Sequence, residues 1–229
     1  MIDAQDEILL NNAAWFSLIG PHSALAEGTG MARRYPKDVS PFYGVADFAD
    51  DQSWRDLRKL TGATGTAVLA GEGLVIPDGW TRLDGGVGVQ MTGEDVFGLA
   101  DKESVSLNEG DVPEMLDLVA RAQPGPFLPR TNELGGYLGI RNNGKLVAMA
   151  GYRLNPLGWR EISAVCTDAD FRGQGLGRRV VLAVSAEIRR GNEIPFLHVA
   201  QSNENAIRLY ENLGFRHRAT SVFAVIQAA

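Results

Sequence analysis

The fold is decided by a stretch that joins a strand-like segment to a helix-like one, Ala164-Val165-Cys166-Thr167-Asp168-Ala169-Asp170-Phe171-Arg172-Gly173-Gln174-Gly175-Leu176-Gly177-Arg178. An apolar strand is predicted to end near Thr167. A helix is predicted from about Gly175 to Arg190, because apolar residues recur at every fourth position until Gly191. Alternating glycines between a strand and a helix let backbone N–H groups approach an anion closely, and the helix N-terminus favours its charge. The loop is therefore a candidate anion site, with a plain glycine-rich turn as the alternative interpretation.

Strands and helices alternate on both sides of this stretch. A helix is predicted to begin at Asp111, whose side chain is placed to cap it, with Glu114 at the capping-box position, and another helix spans Asn205–Leu213. Strands are predicted at Val105–Leu107, Tyr137–Arg141, Leu146–Tyr152, Arg160–Cys166, Phe196–Val199 and about Ser221–Gln227. This order predicts an α/β (α+β) fold built on a mixed, mostly antiparallel sheet.

One motif is misleading. Residues Gly139–Lys145 fit the start of a nucleotide-binding P-loop, G-x-x-x-x-G-K, but Leu146 follows where a Ser or Thr is needed to coordinate magnesium. Asn143-Gly144 lies between two strand-like runs, which is typical of a type I′ hairpin turn. The hairpin is the prediction, and nucleotide binding at this segment is rejected.

The composition excludes several classes of protein. The chain has 229 residues and a net charge of −6, which argues against a nucleic-acid coat protein because phosphate binding needs clustered cations. The acidic start Met1–Glu7 differs from a signal peptide, no apolar run approaches a membrane span, and the single Cys166 cannot form an internal disulfide. We therefore expect a cytoplasmic protein without nucleic-acid or membrane partners. The few scattered histidines predict no metal site.

Two segments together resemble a known superfamily. Arg172-x-x-Gly175-x-Gly177 resembles the pyrophosphate loop of the GCN5-related N-acetyltransferases (GNAT). Downstream, Asn203-Glu-Asn-Ala-Ile-Arg-Leu-Tyr-Glu-Asn-Leu-Gly-Phe215 is similar to the N-x-x-A-x-x-L-Y-E-x-L-G-F segment of the same superfamily. The resemblance covers about Ser104 to Ala229 and is strongest to the FR47-like branch.

The resemblance implies an acyl-CoA N-acyltransferase fold that transfers the acetyl group of acetyl-CoA to a primary amine. In this superfamily the pantetheine arm lies between two parallel strands, here those ending at Thr167 and Ala200, and Asn203 would contact that arm. Backbone groups of Val165, Cys166 and Thr167 would pair with the pantetheine, one N–H acting as oxyanion donor. The pyrophosphate would be held by Arg172, Gly173, Gln174, Gly175, Leu176, Gly177 and Arg178.

The resemblance also implies catalytic roles. Tyr210 would be the general acid that returns a proton to the CoA thiolate, although an apolar helix stripe is the alternative interpretation. His198, or Glu161 on the preceding strand, would be the general base, with an ordinary strand residue as the alternative for each. Cys166 is expected to be a small buried residue beside the cofactor rather than a nucleophile.

The N-terminal half carries neither motif. Residues 1–101 are predicted to form an α/β lobe, either a degenerate acetyltransferase-like unit or a substrate-shaping cap, beside an acetyltransferase domain at 102–229. An amphipathic helix ending at Gly20 predicts that Trp15, Phe16 and Ile19 are buried. The acceptor is expected to be an amine-bearing small molecule or a peptide, the chain a monomer or homodimer, and a non-catalytic acyl-CoA-binding module the alternative function.

Overall fold

Strands and helices cover most of the chain in the computed structural model, which describes residues 2–229; Met1, part of the predicted acidic start, lies outside the described residues. The strands are β1 (Ala32–Arg34), β2 (Tyr43–Val45), β3 (Thr66–Gly71), β4 (Trp80–Thr92), β5 (Ser104–Leu107), β6 (Tyr137–Asn142), β7 (Lys145–Tyr152), β8 (Trp159–Thr167), β9 (Ile194–Ala200) and β10 (Arg216–Ala228). The helices are α1 (Ala4–Asn11), α2 (Ala13–Ile19), α3 (Asp51–Thr61), α4 (Val112–Ala122), α5 (Leu176–Arg190) and α6 (Glu204–Asn212), and short 3₁₀ turns lie at Ser23–Leu25, Glu109–Asp111, Thr131–Leu134 and Ala169–Phe171.

Eight strands form one sheet in the order β3-β10-β4-β9-β8-β7-β6-β5, and β1 pairs with β2 in a separate ribbon. Strands β8 and β9 run parallel, whereas the other six neighbouring pairs of the large sheet are antiparallel. Helix α5 connects the two parallel strands, as a parallel pair requires a crossover. The mixed, mostly antiparallel sheet that the sequence predicts is confirmed.

Helices cover both faces of this sheet. The spacing of Val180, Val184 and Ile188 predicts one apolar face for α5, and all three side chains are buried in a cluster with Leu197 of β9. The neighbouring residue Phe196 points to the opposite face, where α1 and α2 pack. Helix α4 covers the same opposite face over β6, β7 and β8. The core is therefore two apolar layers with the sheet between them.

Strands from both halves of the chain alternate in the sheet. Strand β4 lies between β10 and β9, with Gly88–Thr92 paired to Phe196–Ala200. The predicted division at residues 101/102 stays a prediction about folding units, because the hydrogen-bonded sheet continues across it.

The predicted N-terminal helix is broken in two, and its buried face differs from the prediction. Helix α1 ends before Asn12, whose side-chain Nδ2 donates to Val45 O at 2.7 Å. This break changes the phase of the helical face, so Trp15 is buried as predicted but Ile19 is 45% exposed and Ile8 is 54% exposed. The prediction of burial was wrong for Ile19, and Phe16 is half-buried.

The predicted cap of α4 was also wrong in detail. Asp111 precedes the helix but forms no side-chain cap; its carboxylate accepts from Asn108 N at 2.8 Å, which closes a capping box around the preceding 3₁₀ turn. Glu114 accepts from Leu146 N at 2.7 Å and from Arg141 at 2.6 Å instead of folding back on its own helix.

The hairpin prediction is confirmed. Asn143 and Gly144 join β6 to β7 with φ values of 49° and 84°, the left-handed conformation that a type I′ turn requires at both central positions. Lys145 pairs with Asp168 at 2.8 Å, so this lysine is not free to bind a phosphate as a P-loop lysine would.

We expect residues 102–229, expressed alone, to fail to fold. Without β4, one edge of β9 is exposed and β10 loses the strand with which it forms its longest ladder. Unpaired strand edges promote aggregation. Far-ultraviolet circular dichroism and size-exclusion chromatography test this, with the 229-residue chain as control. A monomeric fragment with a cooperative unfolding transition would contradict it.

Candidate functional site

The sheet opens between its two parallel strands. Pairing of β8 with β9 runs from Trp159↔Ile194 to Ile162↔Leu197 and then stops. Just beyond, Ala164 has φ +51°, a conformation that residues with a side chain rarely adopt, and the β7–β8 register shifts at this point. This local bulge turns the end of β8 away from β9, which leaves the backbone groups of both strand ends without a partner strand between them.

A cavity of about 500 Å³ occupies this opening. Its walls are the diverging ends of β8 and β9, the start of α6, and a loop that follows α4 and forms one lip. The lining residues are Ala122, Gln123, Pro124, Gly125, Arg153, Ile162, Ser163, Ala164, Val165, Cys166, Thr167, Arg172, His198, Val199, Ala200, Asn203, Ala206 and Tyr210. A volume of this size is typical of a small-molecule or cofactor site.

The glycine loop forms an anion cradle at the mouth of this cavity. Gly173 and Gly175 have φ values of +75° and +76° with open space where a Cβ would stand. The first helical hydrogen bond of α5 is Arg179 N to Gly175 O at 3.1 Å, so the N–H groups of residues 173–178 make no backbone hydrogen bond among the described residues. Unpaired N–H groups at a helix N-terminus form an anion site.

The cradle and the cavity form one continuous groove. A smaller cavity of about 180 Å³ lies over the loop, lined by Gly173, Gly175, Leu176, Gly177 and Arg178. Thr167 and Arg172 line both this cavity and the larger one. An extended ligand with an anionic end therefore fits, because its anion would lie over the loop while its chain lies between the strands.

Asp168 holds the start of the loop in place. Its buried carboxylate accepts from Lys145 Nζ at 2.8 Å and from the Arg121 guanidinium, and its backbone N–H donates to Val147 O at 2.8 Å. The hydrogen bonds from Lys145 and Arg121 hold the pKa of the Asp168 carboxyl well below its usual value. Sequence reasoning missed this residue, because its partners come from a distant hairpin and helix.

Tyr210 reaches the cavity from α6. Its ring packs edge-on against Phe215 with centroids 6.0 Å apart, and burial raises the pKa of its phenol to about 12. The hydroxyl makes no hydrogen bond with any described residue, although Tyr210 lines the cavity. The phenol therefore stays protonated at neutral pH and can donate a hydrogen bond to a ligand.

A buried ionic chain lies behind the cavity wall. Glu161 is 0% exposed; its carboxylate accepts from Arg153 at 2.8 and 2.6 Å and from His198 Nδ1 at 2.7 Å. Burial by itself would raise the pKa of Glu161, but the charge and hydrogen bonds of Arg153 and the hydrogen bond from His198 outweigh it and lower the pKa to about 2. Glu161 is thus ionised at neutral pH and fully engaged with its neighbours.

Gln90 completes this chain from the N-terminal half. Its Nε2 lies 3.1 Å from His198 Nε2 and donates to Leu10 O at 2.9 Å, while its Oε1 accepts from the Arg218 guanidinium. These two outer partners fix the amide orientation, so Gln90 donates to His198 Nε2. The imidazole is therefore neutral, with its proton on Nδ1 toward Glu161.

Cys166 does not have the properties of a nucleophile. Burial raises the pKa of its thiol to about 12, and reactive cysteines need the thiolate. Cys166 is buried, as expected. Its place beside the cofactor stays a prediction.

Most of the residues singled out from the sequence come together here. The main cavity gathers Val165, Cys166, Thr167, Arg172, His198, Asn203 and Tyr210, and the loop cavity gathers Gly173, Gly175, Leu176, Gly177 and Arg178. Gln174 lines neither cavity, and Glu161 lies behind the wall rather than in it. Asn203 caps α6 by accepting from Ala206 N at 3.2 Å, which leaves its amide nitrogen available to a ligand.

Among residues 2–229, no helix combines the length and the apolar character that a membrane span needs. The same residues contain no group of three or more His, Cys, Asp or Glu side chains that could hold a metal ion.

Comparisons with known proteins identify the family. Residues 137–224 match the family described as FR47-like protein. A solved structure described as an acetyltransferase from the GNAT family of Novosphingobium aromaticivorans is similar over 96% of this chain and 98% of that one, with a TM-score of 0.87 and 34% identity.

Curated relatives agree. The [ribosomal protein bS18]-alanine N-acetyltransferase of Escherichia coli K12 is 34% identical over 116 residues, 48% of this chain and 78% of that protein. A mycothiol acetyltransferase of Thermobispora bispora is 46% identical over 61 residues, and the chain spans only 20% of its length. The acyl-CoA N-acyltransferase fold is thereby confirmed. The chain belongs to the GNAT superfamily of acetyl-CoA-dependent acetyltransferases.

Proposed function

We propose that this protein transfers the acetyl group of acetyl-CoA to a primary amine. The observation that carries the proposal is the continuous groove between β8 and β9. Unpaired N–H groups lie at the end that can bind an anion, and Tyr210 lines the groove. Relatives named for two different acceptors, ribosomal protein alanine and mycothiol, support acetyl transfer as the reaction.

The groove fits acetyl-CoA. We propose that the N–H groups of residues 173–178, together with Arg172 and Arg178, hold the pyrophosphate, because open backbone at two left-handed glycines admits an anion without steric conflict. The unpaired strand end at Val165, Cys166 and Thr167 would pair with the pantetheine amides, and the Asn203 amide would donate to them. One N–H of this strand end would donate to the thioester oxygen.

The chemistry needs a proton to leave the amine and another to reach sulfur. Acetyl-CoA supplies the thioester; the amine nitrogen bonds to its carbonyl carbon and the carbon–sulfur bond breaks. We propose that Tyr210 donates its hydrogen to the departing thiolate. Its raised pKa keeps the phenol protonated until the sulfur gains charge.

We propose His198 as the group that accepts the amine proton. Its Nδ1–H donates to Glu161, which leaves the Nε2 lone pair as the basic site, directly or through water. The Gln90 amide nitrogen donates to His198 Nε2 at 3.1 Å. This hydrogen bond must break before Nε2 can accept a proton. Glu161 then acts through His198 as a positioning residue, because its own oxygens are held by Arg153 and His198.

The composition supports further proposals about context. We propose a cytoplasmic enzyme, because the single cysteine cannot form an internal disulfide. The acceptor would be a small amine or a peptide, and the enzyme a monomer or homodimer. Residues 1–101 would shape the acceptor side of the groove, since β4 lies next to β9.

Gly175→Glu should weaken acetyl-CoA binding. The new carboxylate would stand in the open space over the loop and repel the pyrophosphate. Charge-assisted hydrogen bonds contribute about 1.5–3 kcal/mol, so we expect the dissociation constant to rise about 10- to 100-fold in calorimetry.

The matched control is Gly158→Glu. Gly158 has φ +82°, equally open surroundings and a position in the β7–β8 turn at the opposite end of β8. The substitution introduces the same backbone strain away from the groove. The affinity of the Gly158→Glu variant for acetyl-CoA should therefore equal that of the wild type. Equal affinity in both variants would contradict the assignment of the loop.

Tyr210→Phe should lower kcat by about 10²–10⁴-fold, because it removes the proton donor and keeps the ring. Acetyl-CoA affinity should stay nearly constant. Tyr152→Phe is the control, since its hydroxyl bonds to Glu187 at 3.2 Å and lies outside the cavity. Full kcat in Tyr210→Phe would show that the tyrosine only packs in the core.

The wild-type protein tests the alternative function. Tight binding of acetyl-CoA without turnover of any amine would identify a non-catalytic acyl-CoA-binding module.

His198→Gln should lower kcat by about 10²–10⁴-fold, because the amide has no basic nitrogen that can accept the amine proton. Acetyl-CoA affinity should stay nearly constant in calorimetry. Full kcat in this variant would assign the base role to water or to another residue.

A further inference from the structure

The main cavity continues into a second one of about 250 Å³ on the side of β4. The two share six lining residues: Pro124, Gly125, Arg153, His198, Val199 and Ala200. The second cavity is otherwise lined by Gly86–Gly88 of β4, Pro126 of the lip and Phe223 of β10. It therefore lies where an acceptor would approach the thioester from the side opposite the glycine loop.

Both cavities lack acidic lining residues. The chain has 28 aspartates and glutamates and a net charge of −6, yet no carboxylate is among the described residues that line either cavity. The charged lining residues are Arg153 and Arg172. An acceptor with a second positive charge, such as a polyamine, would find no counter-charge here.

Arg153 presents an unused donor to these cavities. The residue is 9% exposed, its Cζ lies 5.0 Å from the Phe42 ring centroid, and its Nε and Nη2 donate to Glu161 at 2.8 and 2.6 Å. Its Nη1 makes no hydrogen bond with any described residue. Because Arg153 lines both cavities, this unpaired nitrogen can donate a charge-assisted hydrogen bond to an oxygen of a bound ligand.

The spacing of the groups points to the kind of ligand. One oxygen, Glu161 Oε1, accepts both from Arg153 Nη2 at 2.6 Å and from His198 Nδ1 at 2.7 Å. The guanidinium and the imidazole are therefore held side by side by a single atom. A ligand whose amine meets His198 would therefore lie close enough to Arg153 to present an oxygen to its guanidinium.

We infer that the acceptor is a primary α-amine with a carbonyl or carboxylate group on the adjacent carbon, and that Arg153 Nη1 donates to that oxygen. Free amino acids and peptide N-termini share this chemistry. The inference rests on the proposed acetyl transfer and adds the acceptor class and its specificity-determining residue. Gly86, Gly88 and Ala200 leave room for an acceptor backbone beside the amine.

The test compares acceptors that differ at the adjacent carbon. CoA release by the wild-type protein is measured with L-alanine, L-alaninamide, L-alaninol and putrescine over a pH series, so that rates refer to the neutral amine. We expect kcat/KM for L-alanine or L-alaninamide to exceed that for L-alaninol by about 10- to 100-fold, the value of a charge-assisted hydrogen bond. Putrescine should be the poorest acceptor. Preference for L-alanine would indicate free amino acids, and preference for L-alaninamide would indicate peptide N-termini.

The variant Arg153→Lys assigns the preference to its residue. Lysine keeps a positive charge beside Glu161 but loses the planar fork that serves two partners at once. The ratio of kcat/KM for L-alaninamide to that for L-alaninol should fall to near one, mainly through KM. Arg160→Lys is the control, because Arg160 pairs with Glu193 at 2.9 Å and lines neither cavity; its ratio should equal that of the wild type.

The outcomes separate the two proposals. Turnover in which L-alaninol or putrescine equals the carbonyl-bearing acceptors would overturn the inference and leave acetyl transfer standing, as would an unchanged ratio in folded Arg153→Lys. The wild-type comparison decides even if that variant fails to fold. Absence of CoA release with all four amines, with acetyl-CoA bound, would overturn acetyl transfer to amines itself.

Discussion

The separation of β8 from β9 beyond Ile162 and Leu197 is the constraint on which the site depends. A continuous parallel ladder would bury both strand ends and close the cavity. The left-handed Ala164 prevents that ladder, and a residue held in this conformation costs roughly 1–3 kcal/mol. The strain frees the backbone of the strand ends for a ligand, directs the glycine loop to the mouth of the groove and leaves room for Tyr210.

The buried chain from Arg153 through Glu161 and His198 to Gln90 fixes the other wall. A buried ion pair is weak evidence for stability, because desolvation offsets much of the attraction between the charges. Removal of one partner nevertheless leaves the other charge buried and unpaired, which lowers the free energy of unfolding by about 3–5 kcal/mol. Its contribution here is geometric. Each polar group has one arrangement that satisfies all its neighbours, which sets the tautomer of His198 and the direction of the Arg153 fork.

Features of the fold and the site could be predicted from the sequence where the pattern that indicates them lies within one short segment. The glycine loop, the α6 motif and the type I′ turn each lie within one short segment, so sequence alone indicated the sheet, the cradle and Tyr210. Gln90 and Arg153 carry no local pattern, because their partners lie 108 and 8 residues away on other strands. The α4 cap and the phase of the N-terminal helices failed because Arg141 and Val45 bind the predicted capping and helical side chains from outside the segment.

Local motifs and long-range contacts lie in different parts of the proposed site. The motifs that indicate acetyl-CoA lie on β8, α5 and α6, where a common cosubstrate imposes a common local geometry. The proposed acceptor side is lined by β4, the lip after α4 and Phe223 in the middle of β10, which come together only in the folded sheet. Relatives with different acceptors can therefore share the first set while the second varies. Arg153 (through Glu161) and Gln90 both connect to His198 by hydrogen bonds. In the proposed mechanism, acceptor recognition and proton transfer would therefore be coupled at this side chain.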